Sequence, residues 1–183
     1  MTVKEIVIAA AAELGVCDRV QAYLDGSVED GKEETEALVR CFNLVESELA
    51  LDYLPLYAEE TLETQTGAIE YATFARSVVR VLKGTDEWGN SAPFRLFPTY
   101  LKTQGGKINV RYAYAPAVKT IEDESDYMVQ ASVRLFAYGI ACEYSLASGM
   151  FEEASVWDKK YKEAIRASYR ANPAKVMSSR RWV

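Results

Sequence analysis

Apolar positions recur at helical spacing over the first fifty residues, switch to every second position up to about residue 116, and then return to helical spacing. The first helical run predicts a helix from Val3 to Gly15, with Thr2 as N-cap and Glu5 completing a capping box. A short helix from Asp18 to Leu24 ends at Gly26, and the turn-rich DGSVEDGK follows. A third helix is predicted from Glu33 to Tyr53. Leu38, Cys41, Leu44, Val45, Leu49 and Leu51 form its apolar stripe, while Glu34, Glu36, Glu46, Glu48 and Asp52 lie mostly off it. Pro55 closes it.

The alternating segment predicts four to six strands in a small antiparallel sheet. Its runs are LYAEETLETQ, AIEYATF, RSVVRVLKG, APFRLFPTYLK and KINVRYAYA. Thr66-Gly67 reads as a turn, and TDEWGNS as a hairpin connection. The stretch YLKTQGGKINVRYAYAP reads as a hairpin around Gly105-Gly106, with Ile108, Val110, Tyr112 and Tyr114 on one face of its second strand. Pro98 inside the preceding run marks an edge or a bulge.

Two further helices are expected, from Asp126 to Met150 and from Phe151 to Tyr169. The first carries small residues, among them Ala137, Gly139 and Ala141, that let another helix approach closely. The second directs Ala154, Trp157, Tyr161, Ala164 and Ile165 inward. Helices on both sides of a sheet hide their stripes by packing together. The expected fold is α+β: mainly a helical bundle of four to five helices (residues 1–54 and 125–170), with a small antiparallel β insertion (55–116). An extended C-terminal tail (171–183), read as a docking segment, completes it.

Composition narrows the chemistry. The 183 residues include no histidine, which removes the commonest general base and the commonest zinc ligand. Cys17, Cys41 and Cys142 fit no metal or disulfide spacing and read as buried thiols in a protein made in a reducing cytoplasm. There is no phosphate loop and no G-x-S-x-G turn. Carboxylate pairs such as Glu59-Glu60 sit in charge runs on expected solvent faces, and EDESD lacks the spacing of a calcium loop. No catalytic, cofactor or metal site is expected, and no enzymatic activity. The apolar IVIAAAA is too short for a membrane span and lacks the flanks of a targeting signal.

Charge is segregated. Residues 1–70 hold sixteen acids against four bases, whereas residues 159–183 hold eight bases against Glu163 alone. Unlike ends of this kind suit an interaction tail or end-to-end contacts between copies, and equally a solvated helix face with a basic terminus. Nucleic acid is a rival partner, with the bases on phosphates and Tyr169 and Trp182 stacking, but no recognition motif accompanies the patch.

The opening helix TVKEIVIAAAAELGV, the second long helix VRCFNLVESELALDYLPL and the closing helix pair LFAYGIACEYSLASGMFEEASVWDKKYKEAIRAS occur in a telling order. With the terminal SSRRWV, that order resembles the head–tail adaptor (connector, head-completion) proteins of tailed bacteriophages, relatives of tail tubular protein A. The resemblance implies a homo-oligomeric ring, usually of twelve copies, docked under the portal at the head–tail junction of the virion. Such a ring prolongs the DNA channel, lets DNA pass without specific binding, and offers a platform to a downstream tail or stopper protein. Carried onto this chain, portal docking falls to Lys175, Val176, Met177, Arg180, Arg181 and Trp182. Contact between subunits or with the tail falls to Trp88, Tyr100, Arg111, Tyr112 and Tyr114. The alternatives are a tail-completion or terminator ring, or a monomeric module binding carbohydrate or protein through the β insert. In that module Tyr100, Tyr112, Tyr114 and Trp88 would form the stacking platform.

Overall fold

The computed structural model describes residues 1–27 and 29–171. Among them are five α-helices and two three-stranded antiparallel sheets. The α+β reading fits; the mainly helical bundle with one small inserted sheet does not. Two compact units form, one from Met1–Val45 with the chain from Lys119 onward, the other from Glu46–Val118. The second unit has a hydrophobic core of its own, built on Ile69, Phe74, Val81, Leu101, Ile108, Val110 and Tyr112. The alternating segment therefore folds around buried residues of its own, as a body comparable to the helical one.

In the first unit, α1 (Val3–Glu13) begins with the expected capping box. The Glu5 amide donates to the Thr2 hydroxyl at 3.2 Å, and the Thr2 amide to the Glu5 carboxylate at 2.9 Å. α2 (Cys17–Leu24) follows, then α3 (Lys32–Glu48), which runs on into a wider π-helical turn at Leu49–Tyr53. The stripe of α3 departs from expectation: Phe42 is fully buried and Leu44 is exposed. Phe42 faces Phe136 with ring centroids 5.4 Å apart.

α4 (Val133–Ala147) starts seven residues later than the pattern predicted. The reason lies in the acidic link before it. Lys119 and Asp126 form an ion pair at 2.9 Å, only about a tenth exposed. Asp123 accepts hydrogen bonds from the Thr120 amide and hydroxyl. The Lys119 backbone exchanges two hydrogen bonds with the Asn43 amide group on α3. The Val3 amide donates to the Asp123 carbonyl, and the Ser125 amide to the Met1 carbonyl. Held in this way, residues 119–127 strap α1 to α3, and the helix begins only where Ser132 caps the Leu135 amide.

From Leu135 to Cys142 every residue of α4 is buried. It packs against α1 and against α5 (Phe151–Ala171). The expected inward stripe of α5 is present: Ala154, Tyr161 and Ile165 are buried, Trp157 and Ala164 half-buried. At Gly139 a Cβ would meet the Val45 side chain at 2.8 Å and the Tyr161 ring at 2.9 Å, so α3 and α5 both approach through the missing methyl.

In the second unit, β1 (Leu56–Thr64), β6 (Gly106–Ala115) and β3 (Ser77–Asp86) form one sheet in the order β1-β6-β3. β2 (Ala68–Glu70), β5 (Tyr100–Lys102) and β4 (Arg95–Leu96) form the other, in the order β2-β5-β4. The expected hairpin around Gly105-Gly106 does not exist as a pair, because β5 and β6 belong to different sheets. β1 and β2 instead run antiparallel to β6 and β5 in one unbroken register, from Leu56 opposite Tyr114 to Glu70 opposite Tyr100. Three residues on each strand interrupt this ribbon. At the break Gly67 has φ +78°, and a Cβ there would overlap the Thr103 carbonyl. Pro98 lies in neither an edge nor a bulge; it follows Phe97, whose amide donates to the Tyr100 carbonyl to close the turn between β4 and β5.

Gly139→Ala overpacks the crossing of three helices. It is expected to destabilise the protein by about 1–3 kcal/mol, measured as a lowered urea midpoint with unchanged slope.

Candidate interaction surfaces

The expected contact residues of the second unit fall on different surfaces. The core face of β6 is Ile108, Val110 and Tyr112, as the alternation predicted. Tyr112 is completely buried, its ring edge-on to Phe74 at 4.9 Å. Its hydroxyl donates to the Glu60 carboxylate, which also accepts from the Ala75 amide at 3.1 Å. Burial, then the hydrogen bond to Glu60, pushes the Tyr112 phenol up to about 12. Tyr112 is thus a core residue with its polar end satisfied.

Tyr114 is half-buried, and the Arg76 guanidinium lies 5.2 Å from its ring centroid. Tyr100 is half-buried and stacks on Phe97 at 4.7 Å, across the β4–β5 turn. Arg111 is exposed on the outer face of the three-stranded sheet, 5.5 Å from the Tyr57 ring and 3.5 Å from Glu59. Lys83 lies opposite Arg111 on the other side, so this face presents a charged row. The exposed bulge residues Val79 and Leu82 stand on the same strand as Lys83.

Trp88 is the most exposed of these, at 77 %. It stands on the turn after β3, and Asp86 holds that turn. One Asp86 carboxylate oxygen accepts the Trp88 amide at 3.0 Å and the Asn90 amide at 2.7 Å; the other accepts the Asn90 side chain at 3.0 Å. Gly89, with φ +84°, supplies the left-handed position. The Asn90 side chain, opposed by desolvation and aided by the backbone amides of Asn90, Trp88 and Gly89, holds the Asp86 carboxyl below the ordinary range. A large indole on a rigid turn is a low-entropy anchor for a partner.

These residues do not form one platform. Trp88 lies beyond the end of the sheet where Asp86 faces Ile108, and Tyr114 pairs with Val78 at the other end. Six residues of strand, about 20 Å, separate those ends. The docking positions Lys175, Val176, Met177, Arg180, Arg181 and Trp182 lie outside the described residues.

The cysteines are packing residues. Cys41 and Cys142 are buried and Cys17 half-buried. Burial, reinforced by Glu143, pushes the Cys41 thiol up to about 11. Among the described residues no three metal-ligating side chains gather, and no helix is long and apolar enough to cross a membrane.

In the first unit the sequence reasoning missed a groove of about 510 Å³ between the start of α4 and the second half of α5. Arg134, Tyr138, Lys160 and Glu163 line it. Tyr138 stacks on Trp157 at 5.8 Å, and Lys160 Nζ lies 4.0 Å from the Trp157 ring centroid. The spacings Arg134–Tyr138 and Trp157–Lys160 put each pair on one helix face, a signal legible in the sequence.

No protein-family model matches the chain, and no curated protein matches it either.

Two outcomes follow. Tyr112 is raised above its unfolded value near 10, so its contribution is present below about pH 10 and is lost as pH rises to about 12. Tyr112→Phe is expected to remove that alkaline component and to cost about 1–2 kcal/mol at neutral pH, both read from urea unfolding across pH. For Asp86 the sign is opposite: its folded value is depressed, so turn order persists above the ordinary carboxylate range and is lost as pH falls through the depressed value. Asp86→Ala is expected to speed amide exchange at Trp88 and Asn90 at neutral pH.

Proposed function

We propose that the protein is a structural adaptor of a phage head–tail junction, a ring of copies that docks under the portal and prolongs the DNA channel towards the tail. The reading starts from the resemblance of the order of helix–sheet–helix segments in this sequence to that of such adaptors. The observation that carries it furthest is Trp88, 77 % exposed on a turn locked by Asp86. A free, preorganised indole is costly to leave in water and is the type of residue that anchors protein contacts. Asp86, two residues before it, is engaged in holding the turn.

On this reading the β unit meets a tail-side component or a neighbouring copy through Trp88 and the Arg111 row. The basic C-terminal segment, with Arg180, Arg181 and Trp182, engages the portal. The acidic balance of the chain keeps transiting DNA from adhering, since like charges avoid close phosphate contact. The role involves no bond-making chemistry.

The test is the mass of the full chain mixed with the portal of its phage. A defined multi-copy complex is expected. Removing Asn172–Val183 should leave the melting of the described helices and sheets unchanged while abolishing docking. Trp182→Ala should weaken docking by about 2 kcal/mol or more. A protein that stays a monomer beside the portal, or docks as well without the tail, overturns the reading.

A further inference from the structure

The groove between α4 and α5 has features that packing alone does not require. Two cations converge on one ring: the Arg134 guanidinium carbon lies 5.3 Å and Lys160 Nζ 5.4 Å from the centroid of Tyr138. Among the described residues neither has a carboxylate within ion-pair distance. Arg19, Arg111, Lys119 and Lys162 contrast with them, each within 3.5 Å of an acid. The Arg134 Nε–H donates to the Tyr138 hydroxyl, and Lys160 is half-buried against Trp157. Both charges thus rest against aromatic surface while lining the groove.

Charge decides among occupants. The chain's own residues 172–183 carry Lys175, Arg180 and Arg181 and no acid, so they are repelled. Nucleic acid finds no open stacking surface, because Tyr138 and Trp157 stack on each other and Lys160 covers both. An acidic protein segment fits, and the same unit supplies one. From Glu29 to Glu36, at the start of α3, the exposed side chains Glu29, Asp30, Glu33 and Glu36 stand with a single base, Lys32. None of these four acids has an ion-pair partner among the described residues. Arg19, the nearby base on α2, is occupied by Glu34 at 2.8 Å. The groove mirrors this pattern, with two cations and one acid, Glu163, which matches Lys32.

We infer that the Arg134–Tyr138–Lys160 groove of one copy receives the acidic start of α3, Glu29 to Glu36, of the next. The contact is heterologous, one face meeting a different face, and it propagates from copy to copy. It deepens the adaptor reading, on which it rests, by naming the surfaces through which copies meet.

A charge swap in the full chain tests it. Arg134→Glu with Lys160→Glu makes one variant, and Glu29→Lys with Glu33→Lys the other. Sedimentation across a concentration series at low salt reads the mass. The wild type is expected to associate. Each variant alone is expected to do so at least about tenfold more weakly, because like charges then face each other. An equimolar mixture is expected to regain wild-type association, since every groove then meets a corner of opposite sign. Variants that associate like the wild type overturn the inference, and so does a wild type that stays monomeric throughout. Binding of a labelled DNA duplex by the wild type, lost in the Arg134/Lys160 variant, would also overturn it and give the groove to phosphates. If any of these overturning results is accompanied by docking to the portal, this inference alone fails and the adaptor reading stands.

Discussion

The absence of a side chain at Gly139 is the constraint on which the helical unit depends. α4 is buried on nearly every side from Leu135 to Cys142, so its neighbours cannot be arranged by one amphipathic stripe. They are arranged by volume. Phe136 fills the space towards Phe42 and Tyr127, whereas Gly139 opens it to Val45 and Tyr161. Because Tyr161 sits on α5 next to Lys160, the depth at which α5 seats on α4 also fixes where Trp157, Lys160 and Glu163 stand. A methyl group at position 139 would force either Val45 or Tyr161 outward. Close-packed interiors transmit such shifts rather than absorb them, and the cationic groove would move with α5.

The β unit is organised by a different economy. One two-stranded ribbon serves both sheets, because β1 with β2 and β6 with β5 keep a common register across a three-residue break on each strand. At the break the Thr64 hydroxyl accepts the Gly67 amide at 3.1 Å and donates to the Ala68 carbonyl at 3.0 Å. Backbone groups that lose ladder partners there regain them locally, so the ribbon can change sheets without stranding polar atoms. The third strand of each sheet comes from the segment between them: β3 on β6, and β4 on β5.

What the sequence disclosed follows from the range of the interactions. The capping box at Thr2 and Glu5, the inward stripe of α5 and the core face of β6 are set by residues a few positions apart, and all were legible. Partners distant in the chain were not. Gly105-Gly106 looks like a hairpin turn, yet β5 before it pairs with β2, 30 to 34 positions upstream, and β6 after it pairs with β1, 42 to 58 positions upstream. The helical bundle failed for a related reason: alternation marked the middle segment as β but did not show that it closes a core of its own. On α3, Phe42 lies four residues after Leu38 and three before Val45, whereas Leu44 falls off that stripe, so the burial of Phe42 against Phe136 was legible in the spacing. Tyrosine hid its role most effectively, because its amphipathic ring suits a core or an interface. Tyr112 belongs to the first, with Glu60 satisfying its hydroxyl, and no local signal separates it from Tyr114.

The distribution of spent and unspent charge ties the folding and functional readings together. Asp86, Asp123 and Glu60 accept backbone amides, and Asp126 closes a nearly buried pair with Lys119. These acids are stabilised by what they hold and offer little to a partner. Two clusters of the charges left over lie apart in the helical unit: acids at the start of α3, cations over the rings between α4 and α5. A protein whose unspent charges were mixed on one face could meet its own copy across a two-fold axis and stop at a dimer. Faces of opposite sign at different places close a two-fold dimer only where both reciprocal contacts form at once; otherwise one face meets a different face of the next copy. On the adaptor reading proposed above, that second arrangement adds copies in one rotational sense until a ring shuts.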